Sequence, residues 1–351
     1  MFSLYSPITE FNVLNNYSNS KSVLSNANNN ASITSKTEVD FDLLYTMGQL
    51  IGTGGSGNVY ECTCKSTEQL FAVKIIDWVN GFPEECSAEL KSCRNEVSLL
   101  CSIQHSNIIK LIDVFESSDS LWIVMEYTPG LDLFDVIQEA SNCNHSMNSI
   151  GGILEDEAKS IFNQILHGVQ CLHENNIVHR DIKPENIWIP FSNQSSVKLL
   201  DFGSASTVLN GHESMMSPSM IGTTNYMAPE LLSDYFGRKD SQTDLKADCW
   251  SLGIMLFVML FSEYPTFHYN EVNTIPTVNF GALKSHISPS AANLISQLLQ
   301  LDPSQRISAA DALKHEWFIY SSPIKSISFS NYCNPLILPD NKLLPLKVCG
   351  C

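Results

Sequence analysis

The feature that most constrains this chain is a change in the period of its hydrophobic pattern. Between residues 44 and 76 the apolar residues come in short runs, "LYTMGQLI", "NVYECTC" and "LFAVKII". These runs are rich in β-branched and aromatic side chains and are separated by Gly or polar turns, which predicts three consecutive antiparallel strands. From Glu155 the spacing changes: Ala158, Ile161, Phe162, Ile165, Leu166, Val169 and Leu172 recur on one helical face. Glu84 to Ile103 reads as a helix, "SLWIVMEY" (120–127) as a further strand, and more helices are expected around 248–261, 290–300 and 308–315. "QEASNCNHSMNSIGG" (138–152) reads as a polar surface loop in front of the long helix. A strand-rich segment followed by a helix-rich one predicts an α+β fold with a small sheet lobe and a larger helical lobe.

The ends differ in texture. Residues 1–40 are rich in Asn and Ser, too polar to bury a core, and read as a disordered leader. Residues 319–351 form a C-terminal tail after the last helix, with no basic amphipathic helix of the calmodulin-target kind.

Charge and cysteine usage narrow the partners. Twenty Lys and Arg stand against 37 Asp and Glu, a net charge of −17. Such a field repels phosphate backbones, which argues against nucleic acid, and attracts basic peptides or proteins. Eleven cysteines are scattered without paired CxxC spacing, and Cys62 and Cys64 stand two apart on one strand face. Reduced thiols in the cytoplasm are expected. The N-terminus lacks the basic start and unbroken apolar run of a signal peptide. The most apolar run, Ile254 to Phe261, is eight residues long, too short to span a bilayer. The chain ends Cys349-Gly350-Cys351, similar to the double-prenylation signal of Rab-type GTPases; an ordinary end is the preferred reading over a membrane anchor.

The chemistry-bearing residues stand in a fixed order. "IGTGGSGNVY" places Gly52, Gly54 and Gly57 between two strands, where the backbone can approach a polyphosphate. A Rossmann turn would need a helix next, whereas Val59 and Tyr60 continue as a strand. "FAVK" puts Lys74 on the following strand, and Glu96 lies mid-helix in "RNEVSLL", able to hold that ammonium. His179-Arg180-Asp181, Lys183 and Asn186 come next in "HRDIKPENIWI", then Asp201-Phe202-Gly203, "MAPE" (227–230), "DCWSLG" (248–253) and Arg306.

This ordered set resembles the eukaryotic protein kinases over roughly residues 44–318, with wording most like the calcium/calmodulin-dependent group. The resemblance implies a two-lobed fold. Its N-lobe (44–127) would be an antiparallel sheet plus one helix and its C-lobe (128–318) mainly helical, with a cleft between them. It implies ATP and Mg²⁺ as cofactors, with Gly52, Gly54 and Gly57 over the phosphates and Lys74, held by Glu96, on them. Asn186 and Asp201 would hold the metal, and Asp181 would take the proton of the acceptor hydroxyl. Ile51, Val59, Ala72, Met125, Glu126, Thr128, Asp132 and Trp188 would complete the nucleotide pocket, with Met125 as gatekeeper and Glu126 to Thr128 as hinge.

Lys183, two residues after Asp181, is the pattern of Ser/Thr kinases, and Thr223 matches the residue that braces the loop. Protein substrates with Ser or Thr acceptors are therefore implied, with Glu185 hinting at basic neighbours, and the enzyme is expected to act as a monomer. His179 and Phe202, with Leu100 and Leu111, would form an apolar column between the lobes. Glu230 and Arg306 would form a buried ion pair, and Asp248 would cap the catalytic loop. Arg180 would face a phosphate on the segment after Asp201, at Ser219 or Ser217.

Two positions depart from the family pattern. Trp188 stands where a Leu is common beneath the adenine, and Ser56 where an aromatic is frequent. Either the indole tilts aside and stacks, or it narrows the pocket. The second reading would make the chain a pseudokinase scaffold, the alternative to an active Ser/Thr kinase.

Overall fold

The computed structural model describes residues 38–54, 57–77, 88–117, 119–144, 151–192, 196–208, 224–232, 241–268 and 277–319. The leader up to residue 37 and the C-terminal tail beyond Ile319 lie outside the described residues.

A short helix, α1 (Glu38–Leu44), leads into β1 (Tyr45–Gly54), β2 (Gly57–Cys64) and β3 (Leu70–Asp77). Helix α2 (Ala88–Ser102) follows, then β4 (Leu111–Glu116) and β5 (Ser120–Glu126). The five strands form one antiparallel sheet in the order β1-β2-β3-β5-β4.

Strand alternation explains how this sheet serves two layers. From β3, Phe71 and Val73 face a core with Phe41, Tyr45, Cys62, Phe115, Trp122 and Val124. On the opposite face Leu121 and Ile123 of β5 pack with Cys93 and Val97 of α2. Lys74 falls on the α2 side by the same alternation.

The larger lobe opens with β6 (Gly130–Asp132) and α3 (Leu133–Asn144), followed by the long α4 (Glu155–Glu174). Strands β7 (Ile177–Val178), β8 (Ile187–Pro190), β9 (Lys198–Leu199) and β10 (Ser206–Thr207) carry the loops that face the small lobe. Helices α5 (Pro229–Leu232) and α6 (Ser241–Phe261) come next, then the hairpin β11 (Thr266–His268) and β12 (Thr277–Asn279). Helices α7 (Pro289–Leu298), α8 (Ala309–Ala312) and α9 (Glu316–Ile319) close the described chain.

All seven apolar residues predicted on one face of α4 are buried. From Leu252 to Phe261, α6 is buried on every side, as befits a helix apolar all round at the centre of a lobe. No helix among the described residues is long and apolar enough to cross a membrane.

Several expectations need correction. Residues 138–144 belong to α3 rather than to a loop, because Val136, Ile137 and Ala140 give that segment a buried stripe that its polar residues masked. The packed structure begins before Leu44: Phe41 on α1 is fully buried, stacked 5.2 Å from Tyr45 and edge-on to Phe115 and Trp122. The sheet gains β4, whose "LIDVFE" breaks clean alternation, its two acids Asp113 and Glu116 each following a pair of apolar residues. The expected helix from Glu84 is described only from Ala88.

Candidate active site

The site is assembled from the sheet, α2 and the loops around β7 to β9. On the sheet, Gly52 of β1 pairs with Val59 of β2, Val59 with Lys74 of β3, and Ala72 with Met125 of β5. The predicted nucleotide residues of the small lobe thus lie side by side, and Ile51 is buried next to them. Gly57 closes the β1–β2 hairpin at φ 130°, and a Cβ there would lie 2.3 Å from the Ile75 carbonyl oxygen. Only glycine fits that close approach.

Lys74 is buried, and its Nζ lies 3.1 Å and 3.3 Å from the two carboxylate oxygens of Glu96. Burial works against the ammonium charge, but Glu96 and the nearby Asp201 outweigh it and raise the Lys74 pKa. Burial likewise opposes the charge of Asp201, and Lys74 with the Gly203 N–H and Lys183 hold its carboxyl below the usual range. Asp201 accepts from the Gly203 N–H at 3.1 Å and sits at φ 55°, a left-handed conformation costly for a non-glycine residue. That segment is moored to α2: Ser92 donates to the Gly203 carbonyl at 2.5 Å and Asn95 to the Ala205 carbonyl at 2.7 Å.

Below the sheet, Pro184–Asn186 forms one turn of 3₁₀ helix, with proline's fixed φ at its start. The turn brings Asn186 back onto Asp181: its amide nitrogen donates to the Asp181 carbonyl and to Oδ2, each at 2.8 Å. Lys183 Nζ lies 3.0 Å from the same Oδ2. Burial opposes the Lys183 charge, and Asp181, with Glu185 and Asp201, raises its pKa above the ordinary value. Two donors therefore converge on one oxygen of Asp181, its Oδ2. The Asn186 carbonyl oxygen is turned away from Asp181 by the same bonds.

The loop is held from beneath by Asp248 of α6, which accepts from the backbone N–H groups of His179 and Arg180 at 2.9 Å each and meets His173 Nε2 at 2.9 Å. His179 and Phe202 pack edge to face with centroids 5.0 Å apart, and Phe202 shares a core cluster with Leu100, with Leu111 packed against it. Glu230 and Arg306 form a forked, fully buried pair at 2.6 and 3.0 Å. The geometry brings together every one of these sequence-predicted partners.

At the back of the cleft, Glu126 Oε1 accepts from Lys198 Nζ at 2.7 Å and from the Lys110 N–H at 2.8 Å. Trp188 of β8 lies opposite Asp132 of β6 and donates its indole N–H to the Thr128 carbonyl at 2.9 Å. A Cβ on Gly130 would lie 2.8 Å from that indole nitrogen, so the glycine makes room for it. Asp132 is buried and caps α3, accepting from the Asp135 N–H at 2.8 Å. Burial, with repulsion from Asp135 and Glu185, pushes its carboxyl up to about 7.

Sequence reasoning did not find Ser92, Asn95, Lys198 or the indole bond. Ser92, Asn95 and Glu96 are spaced i, i+3, i+4, so one polar face of α2 was a usable signal. Ser56, Thr223, Ser217, Ser219 and Cys349-Gly350-Cys351 lie outside the described residues.

A divalent cation fits what these residues offer. The Asp201 carboxylate and the Asn186 carbonyl oxygen are hard oxygen donors, too few for a full cage, as suits Mg²⁺ completed by water and phosphate oxygens.

Comparison with known proteins agrees with this geometry. Residues 45–318 match the protein kinase domain family. The probable serine/threonine-protein kinase fhkD of Dictyostelium discoideum is 34% identical over 297 residues, covering 80% of this chain and 38% of that protein. The SNF1-related protein kinase catalytic subunit alpha KIN12 of Arabidopsis thaliana is 33% identical over 282 residues, covering 80% and 52%. A crystal structure of the Rad53 kinase domain and SCD2 aligns with TM-score 0.60 and 27% identity, covering 83% of this chain and 93% of that one. The chain belongs to the protein kinase family and has its two-lobed fold. It spans between 38% and 52% of the length of these two sequence relatives.

Proposed function

We propose that the chain is a Ser/Thr protein kinase, transferring the γ-phosphoryl group of ATP to Ser or Thr hydroxyls of proteins with basic residues near the acceptor. The observation that carries this reading is the convergence of Lys183 and Asn186 on one oxygen of Asp181, across the cleft from the Lys74–Glu96–Asp201 cluster.

In this reading Asp181 Oδ1 accepts the proton of the acceptor hydroxyl as its oxygen attacks the γ-phosphorus and ADP leaves. Lys183 meets the transferred phosphoryl group. Lys74, kept charged and oriented by Glu96, binds the α and β phosphates, and Gly52, Gly54 and Gly57 let the hairpin backbone cover them. Mg²⁺, held by Asp201 and Asn186 when bound, neutralises charge on the phosphates. Met125, Glu126 and Thr128 border the adenine, with Ala72, Val59 and Ile51 above it, Trp188 below it and Asp132 toward the ribose. Little covalent work falls to the protein, so positioning and preorganised charge account for the rate.

Two acids support basic substrates. Glu185 Oε2 is buried without a hydrogen-bond partner among the described residues. An unsatisfied buried carboxylate oxygen is costly, and a substrate cation would satisfy it. Asp132, which Glu185 repels, would gain from the same cation. The free thiols of Cys62, Cys64, Cys171 and Cys249 support a reducing compartment, the cytoplasm.

The test is phosphorylation of a degenerate peptide library by wild type and Glu185→Gln. Selected Ser/Thr peptides with Arg or Lys near the acceptor, and a weaker basic preference in the variant, are expected. An identical profile from both proteins would remove Glu185 from recognition.

A further inference from the structure

Arg180, the residue before Asp181, is held at both ends by one helix. Its backbone N–H donates to Asp248 Oδ1 at 2.9 Å, and its guanidinium reaches Asp244 Oδ2 at 3.3 Å. Asp244 and Asp248 are four residues apart on α6, one turn along a single face. Like charges at that spacing repel each other, and a guanidinium beside them relieves the repulsion.

The need for such a hold is visible in the backbone. Arg180 has φ 66°, in the left-handed region, directly before the catalytic loop's acid. A bulky non-glycine residue stays there only where its surroundings over-determine it. Its side chain is 21% exposed and that of Asp244 is 23% exposed, so the pair is partly withdrawn from solvent. Among the described residues, the negative charge beside the Arg180 guanidinium is the Asp244 carboxylate of the chain itself.

We propose that Asp244 is a positioning residue. As a built-in counter-ion for Arg180 it holds the strained turn that presents Asp181, so the catalytic loop is set without a phosphate opposite Arg180. The inference rests on the kinase reading. It differs from the expected arrangement in one consequence: phosphate-free enzyme keeps its turnover. A partial charge loss at Asp244 acts on kcat, because it displaces the acid that accepts the hydroxyl proton, and leaves ATP affinity, which depends on other residues, nearly unchanged. The Asp248 bond to the Arg180 N–H stays in place in an Asp244 variant, so the loop keeps its fold while losing one of two restraints.

The test uses full-length wild type, Asp244→Asn and Asp244→Glu. Each is treated with a Ser/Thr phosphatase, and intact mass verifies that phosphate is absent. Peptide phosphorylation then gives kcat and KM for ATP, and thermal unfolding checks the fold. Wild type freed of phosphate is expected to keep its kcat within about threefold, since the counter-ion is covalent to the chain. Asp244→Asn is expected to lose about tenfold or more in kcat at near-constant KM, because misplacing a catalytic group by an ångström costs up to about a hundredfold. Asp244→Glu, which restores the charge, should recover most of that loss, a rescue that a purely structural role would not produce. Wild type active only when phosphorylated, with Asp244→Asn equal to it in both states, overturns the proposal alone. Wild type inactive in every state, though folded, overturns the kinase reading and this proposal with it.

Discussion

Trp188 donates its indole N–H to the carbonyl of Thr128 across 2.9 Å, tying β8 to the segment between β5 and β6. The bond fixes the indole nitrogen, and Gly130 leaves that nitrogen the space a Cβ would take. A pinned indole offers a large apolar face to a planar base. Trp188→Leu should therefore raise KM for ATP by roughly fivefold while leaving kcat close to wild type, since base–aromatic stacking is worth about 1–3 kcal/mol on full truncation. Steady-state kinetics check it. A fall in KM would mean that the ring crowds the pocket.

In the proposed reading, the Lys74–Glu96 pair decides whether the phosphates meet an oriented cation. Removing one member of a buried pair leaves the other uncompensated, at a cost of about 3–5 kcal/mol. Glu96→Ala should lose stability in that range by urea unfolding. Its turnover should also fall steeply, because Lys74 would be left to pair with Asp201 alone.

Arg306 and Glu230 are a structural counterpart far from the chemistry. Arg306 forks onto both carboxylate oxygens of Glu230 and also donates to the carbonyls of Gln300 and Lys246. A lysine cannot reproduce that fork. Arg306→Lys should therefore destabilise by about 3 kcal/mol in denaturant titration, with kcat per folded molecule unchanged.

Asp132 gives the molecule a pH signature. Its carboxyl is raised from 3.8 to about 7 in the folded state. Between those values the native protein keeps a proton that the unfolded chain has released. Raising the pH through that window therefore lowers stability. Asp132→Asn keeps the α3 cap, since Asn caps as well as Asp. It should flatten the dependence of unfolding temperature on pH between about 4 and 7. Parallel curves for the two proteins would place the ionisation elsewhere.

The catalytic elements were legible because each is a dense local motif whose spacing carries its geometry. Asp181, Lys183 and Asn186 lie within six residues, and the proline between them forces the turn that joins them. The face of α4 was equally plain, because an amphipathic helix repeats its signal over twenty residues. What stayed hidden were contacts between remote segments chosen by packing. α3 was lost behind the Ser, Asn and Cys that end its sequence, and Phe41 could not be told from the polar leader that precedes it. The indole bond of Trp188 and the Asp244 partner of Arg180 each depend on where a side chain turns, 60 and 64 residues away in sequence.

The most direct test of the central claim is γ-phosphoryl transfer from labelled ATP with Mg²⁺, comparing wild type with Asp181→Ala while nucleotide binding is measured beside it. The arrangement described here predicts phosphorylated Ser or Thr with wild type, transfer reduced to background in the variant, and ATP affinity retained by both. Equal transfer by the two proteins would contradict the role given to Asp181. ATP binding without transfer by wild type would contradict the assignment of the cleft as a working kinase site.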